Sequence, residues 1–216
     1  KTELTDILRI LFVGAVNGYG SINRIAQNVR GKHAVFNFMG RRPRPSAEAL
    51  ADALTKLPEA NGLRAVLTEM VRRAKRNKTV AADSQGITCA VDGFEVFKSR
   101  KRCCDECLER SLTVNGEKVV EYYHRAVVCS IVMEETHLIL DLEMTRKGEG
   151  EVTTAKRLLK RVMQRHRRYF NYLTFDAIYA RRGIINLARR FGKGVVIVLK
   201  HNCEDLLQDA EQLLPM

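Results

Sequence analysis

The chain has 216 residues, 45% hydrophobic and 29% charged, with no tryptophan. That is the composition of a globular protein, long enough for one sizeable domain and a small one. No window approaches the roughly 18 uninterrupted apolar residues of a membrane span, and the first residues lack the cleavage site of a signal peptide. Six cysteines, unevenly placed, argue against a disulfide framework and for reduced thiols. A net charge of +12 and a pI near 9.7 point to a polyanionic partner. The excess is concentrated: residues 1–80 hold 15 Lys and Arg against 6 acids, residues 81–216 hold 22 against 19. Charge alone would equally suit a ribosomal or membrane-surface protein.

Apolar spacing predicts a helix over 3–16, a Gly-rich break at Asn17–Gly20, and a short helix over 22–30 capped by Ser21. Asn23, Arg24, Gln27, Asn28 and Arg30 lie off its apolar stripe, as in a helix-turn-helix, though a plain helical bundle fits as well. Arg41, Arg42 and Arg44 alternate with prolines in a basic extended segment. Ser46 caps a further helix, and another over 61–76 ends in Arg72, Arg73, Lys75, Arg76 and, just beyond, Lys78. These basic residues, with Arg24, Arg30, Arg41, Arg42 and Arg44, are candidate phosphate contacts of a helical, basic domain over 1–80, though the run at 72–78 suits a helix C-terminus equally. Thr79–Gln85 reads as the connector.

Beyond it the period changes from 3.6 to 2. Strands are expected over 86–98, 119–134, 136–144, 172–179 and 194–200, with helices over about 149–168, 181–191 and 203–214. Three antiparallel strands followed by parallel additions give a mixed five-stranded sheet with helices on its faces. The first strand carries Asp92, followed at once by Gly93, and the fourth carries Asp176. A turn acid closing a hairpin is the ordinary reading of Asp92; a helix cap, or a partner of Arg181 or Arg182, is that of Asp176. Neighbouring strands lie about 4.8 Å apart, so this topology can instead bring the two carboxylates together. A close carboxylate pair suits Mg²⁺ or Mn²⁺, two ions about 3.5–4 Å apart serving in-line phosphoryl displacement. Glu151, opening the helix after the third strand, and Asp141 are reserve ligands. Cys104 and Cys107 have zinc-like spacing, with His124 on the next predicted strand; free thiols in a loop are the alternative.

The stretches VDGFEVFKSRKRCCDECLER, EYYHRAVVCSIV, HLILDLE, GEGEVTTAKRLLKRV, FDAIYARRGIINL and GVVIVLK, in that order, resemble the DDE-type transposases of bacterial insertion sequences. The resemblance covers most of 86–205, and the preceding basic helices are similar to that family's end-binding domain. It implies an α/β ribonuclease-H-like core over 86–216, with Asp92 and Asp176 as the first two acids of the catalytic triad. It also implies cut-and-paste nicking and joining of double-stranded DNA by two-metal phosphoryl transfer, at transposon ends and target, in a cytoplasmic, nucleoid-associated, synaptic homodimer. The family's third acid is a Glu on a helix after the fifth strand. Here that region offers Glu204, Asp205, Asp209 and Glu211, none in the family's pattern. We therefore expect a chain cut short before the catalytic Glu and inactive alone. Two alternatives stand beside it: an inactive DNA-binding relic or regulator, and a ribonuclease-H-like nuclease with Glu151 as third acid.

Overall fold

The computed structural model describes residues 4–31, 34–40, 43–55, 61–78, 80, 86–133, 137–200 and 204–213. The chain divides into two compact units, Lys1–Gly62 and Leu63–Met216. The first is all-helical: α1 (Leu4–Val16), α2 (Ile22–Arg30), a 3-10 segment (Ala34–Met39) and α3 (Ala47–Thr55). Ile7 and Ile10 of α1, Ile25, Ala26 and Val29 of α2, Phe36, Met39 and Leu50 form its core. Gly14 lets α1 approach α2, because a Cβ there would lie 2.6 Å from Ile25. Ser21 and Ser46 cap as expected, their hydroxyls accepting from the N–H of Arg24 (3.2 Å) and Ala49 (3.1 Å).

The boundary falls two residues into α4 (Asn61–Arg76), and Val71 of α4 and Val80 belong to the sheet unit's core. The expected connector at 79–85, Val80 apart, lies outside the described residues. Four strands follow, β1 (Thr88–Ser99), β2 (Leu108–Val114), β3 (Glu117–Val132) and β4 (His137–Met144). Then come α5 (Glu151–His166), β5 (Tyr172–Phe175), α6 (Arg182–Arg190), β6 (Gly194–Ile197) and α7 (Glu204–Leu213). The sheet is mixed, in the order β2-β3-β1-β5-β6 with β4 also on β3. Since β1 pairs with β3 over Tyr122–Val132, β2 and β4 follow one another along β3's other edge. β5 and β6 run parallel to β1. Among the described residues no helix is long and apolar enough to cross a membrane.

The sequence reading missed β2. Its hairpin with β3 turns on Asn115 (φ 52°) and Gly116 (φ 87°), two left-handed residues that suit a two-residue turn. The core lies on one face of the sheet, where Cys89, Val91, Val127, Cys129, Ile131, Leu173 and Phe175 meet Ala155, Leu158, Leu159, Val162 and Met163 of α5. Ile184 and Ala188 of α6 join the same core. The opposite face carries exposed Phe94, Ile139, Tyr172 and Val196.

His166, the last residue of α5, is buried, and among the described residues no group hydrogen-bonds its Nδ1. Burial holds its pKa below the ordinary 6.5, aided by Arg165 and opposed by Asp141. The fold favours the neutral ring, so this contribution to stability is present above the unfolded value and lost as pH falls through the lower folded one. Urea unfolding at descending pH should show stability declining below about pH 6.5, and His166→Leu should flatten that decline. Equal slopes in both proteins would contradict it.

Candidate metal centre and nucleic-acid interface

β1 is the sheet's central strand, and its parallel register with β5 ends at Val91↔Phe175. Asp92 follows Val91 on β1, and Asp176 is the first residue past β5, so the two acids follow the last registered pair of neighbouring strands. Paired strands lie about 4.8 Å apart. Val91 and Phe175 both face the core. Alternation therefore turns Asp92 to the opposite face, and the extended backbone of Asp176 (φ −76°, ψ 163°) continues the strand's direction. Asp92 is exposed and lies inside a twelve-residue strand, which removes the hairpin-turn reading. One of its oxygens accepts the Gly93 N–H at 2.8 Å.

Asp176 lies one residue past β5, whereas the sequence placed it within a strand reaching Tyr179. The cause is local: its carboxylate accepts the Ala177 N–H at 2.7 Å and caps a 3-10 turn over Ala177–Tyr179. Its ion partner is Lys200 at 2.8 Å, not Arg181 or Arg182. The Lys200 ammonium and the capping N–H hold the Asp176 pKa below its ordinary value.

Glu151 reaches this end from the core side. Gly93 makes room for it: a Cβ at 93 would fall 2.4–2.7 Å from the Glu151 carboxylate. One Glu151 oxygen accepts the Tyr179 hydroxyl at 2.6 Å, and the other accepts Arg125 Nη1 at 3.2 Å. Tyr179 is fully buried; burial first, then Glu151, then the Asp92 charge push its pKa up, so it stays a donor. Arg125 passes the chain of charges to Glu95 (3.4 Å), Glu95 to Arg110 (2.5 Å) and Arg110 to Glu121 (2.5 Å). Glu95 with Arg125, and Arg110 with Glu121, are cross-strand partners in the ladders. Sequence reasoning did not find this network, because its pairs are set by register.

Gly93→Ala should displace Glu151 and cost about 1–3 kcal/mol, the range for stranding a charge-assisted hydrogen-bond partner. In denaturant unfolding, Glu151→Ala should absorb most of that loss, so the double variant is little worse than either single one. Fully additive losses would rule out the contact as the cause.

Asp141 does not join this end. It is buried on β4, opposite Cys129, where Arg161 Nε (2.5 Å), Arg64 Nε (3.4 Å) and the Leu142 N–H (2.8 Å) hold it. Its neighbour acid Glu143 pairs with Arg161 (2.5 Å) and Arg157 (3.0 Å). The α7 acids Glu204, Asp205, Asp209 and Glu211 are all exposed.

Of the expected phosphate contacts, Arg24 and Arg30 are exposed on α2, beside Asn23 and Gln27. Arg41 and Arg42 lie outside the described residues. Arg44 is half-buried and donates to the Val29 carbonyl, finishing α2 rather than facing solvent. Arg72 and Arg73 are exposed and both held by Glu69 at 2.8 Å. Lys75, Arg76 and Lys78 are exposed. Lys75 also lines a cleft of about 480 Å³ with Gln164, Arg165, Arg167, Arg168 and Tyr169. That cleft brings three arginines and a lysine together with one aromatic ring.

Comparison with protein-family models, curated proteins and solved structures finds no match to this chain. Its function is therefore argued from the site alone.

Proposed function

We propose that the sheet unit is the metal-dependent phosphoryl-transfer core of a DNA transposase of the ribonuclease-H-like kind, and that the basic helical unit binds DNA ends. The observation that carries this reading is that Asp92 and Asp176 each follow directly on the last registered pair, Val91↔Phe175, of two neighbouring parallel strands. The strand order adds support. Read through β4, it runs β4-β3-β1-β5-β6, three antiparallel strands and then two parallel ones, the order expected from the resemblance.

The donors fit Mg²⁺ or Mn²⁺: they are hard carboxylate oxygens, partly exposed, just past the last registered pair of two neighbouring strands. A divalent cation bound there would polarise a phosphodiester and make water a nucleophile near neutral pH. Asp92 and Asp176 would hold the cation, and Lys200, already against Asp176, would meet a phosphate oxygen. The Lys75, Arg165, Arg167 and Arg168 cleft offers phosphate contacts that position the duplex without reading its sequence.

A second reading, a self-sufficient ribonuclease-H-like nuclease, would draw its third carboxylate from Glu151, which packs against Gly93 from the core side.

Binding of a short DNA duplex, with and without Mn²⁺, tests the proposal. Mn²⁺ should tighten wild-type binding about tenfold by bridging carboxylate and phosphate, and should leave Asp92→Asn unaffected. Arg165→Gln/Arg168→Gln should weaken binding to every sequence and lower the salt slope by about 2. Glu151→Gln abolishing the Mn²⁺ effect would select the nuclease reading. Equal Mn²⁺ responses in wild type and Asp92→Asn would overturn both.

A further inference from the structure

The connection from β1 to β2 carries Cys103, Cys104 and Cys107, and none of the chemistry above uses them. The hairpin register explains where they go. Leu108 pairs with Tyr123, so one step further sets Cys107 opposite His124. A bulge between Glu95 and Phe97 turns His124 away from the Arg125 network, with its ring 6.3 Å from that of Phe97. Cys104 and Cys107 close a tight turn over this ring, in which the Cys107 N–H donates to the Cys104 carbonyl at 3.1 Å.

The result is three donor atoms of metal-ligand type in one place. Cys104 Sγ lies 3.6 Å from Cys107 Sγ and 3.2 Å from His124 Nε2, and Cys107 Sγ lies 3.4 Å from the same nitrogen. A tetrahedral zinc ion with bonds of about 2.3 Å to sulfur and about 2.0–2.1 Å to nitrogen sets its ligands about 3.8 Å (S···S) and about 3.6 Å (S···N) apart. The observed triangle is that size, slightly contracted. It is also the group of His, Cys and acidic side chains, among the described residues, whose ligand atoms all fall within 4.8 Å. The Cys104 N–H donates to Cys107 Sγ at 3.2 Å. Cys107 is buried, Cys104 is exposed and His124 is half-buried, so an ion would be anchored inside and open to solvent on one side.

We propose that Cys104, Cys107 and His124 are protein ligands of a Zn²⁺ ion, with the fourth position facing solvent. Two thiolates and a neutral imidazole make a soft donor set that selects zinc over magnesium. Cys89 and Cys129 are not ligands, since both are buried in the core beside α5. The ion fastens the β1–β2 connection to β3 and fixes the root of the exposed basic triplet Arg100, Lys101 and Arg102. This site takes a different metal through different donors from the Asp92 centre and stands whether or not that reading holds.

Co²⁺ titration of the full chain, purified under reducing conditions, tests the site. Wild type should bind one Co²⁺ per chain with near-ultraviolet thiolate-to-cobalt absorption and visible bands of tetrahedral intensity, and Zn²⁺ should bleach both. Cys104→Ser and His124→Ala should weaken binding by about 100-fold or more, whereas Cys103→Ser, the control for loss of any neighbouring thiol, should bind as wild type. Circular dichroism of each variant shows that it is folded, and the wild-type spectrum stands as evidence if one is not. Absence of thiolate absorption in wild type, or loss in Cys103→Ser as large as in Cys104→Ser, would overturn the assignment.

Discussion

Arg161→Ala should destabilise the sheet unit by about 3–5 kcal/mol, the cost of removing one partner from a buried charge pair. Arg161 holds two acids at once, Asp141 and Glu143, each at 2.5 Å, and donates to the Leu142 carbonyl at 3.0 Å. Asp141 is 2% exposed, so water cannot replace the guanidinium. The remaining partner, Arg64, is 3.4 Å from Asp141 and stands in only partly. Urea unfolding of wild type and variant measures this. Exposed Arg72→Ala, whose partner Glu69 is well hydrated, should change stability by about 0.5 kcal/mol or less. Similar losses from the two replacements would show that the Asp141–Arg161 cluster is not a buried electrostatic anchor.

Much of the architecture is legible in residue spacing. The 3.6-residue stripes of 3–16, 22–30 and 61–76 give helices within a residue of those observed. Asp92 followed by Gly93 can be read as an acid inside a strand, and the parallel partnership with the Asp176 strand follows from strand order. Three features were harder. β2 alternates Leu108, Arg110, Leu112 and Val114 with Glu109, Ser111 and Thr113, too polar to stand out from a loop. Asn115-Gly116 was the available signal, and it would also have set Cys107 against His124. Asp176 was placed too deep in its strand because a capping Asp and a strand Asp look alike until the backbone turns. The Arg161–Asp141 and Arg110–Glu95 pairs join residues whose neighbourhood exists only after folding, so no local pattern records them.

The second large effect concerns the acids themselves. Two carboxylates just past the last registered pair of neighbouring strands repel each other, and among the described residues Lys200 pairs with Asp176. A divalent ion relieves that repulsion, so binding should depend on both acids together rather than on either alone. Replacing Asp92 by Asn keeps the shape and the Gly93 N–H contact but removes the charge. Asp141→Asn, at an acid already held by two arginines, should leave Mn²⁺ binding unaltered.

The decisive measurement is calorimetric titration of Mn²⁺ into wild type, Asp92→Asn, Asp176→Asn and the double variant. Wild type should bind Mn²⁺, each single variant should bind at least about tenfold more weakly, and the double variant little worse than either single one. Mn²⁺ binding indistinguishable among the four proteins would contradict a shared metal centre at Asp92 and Asp176.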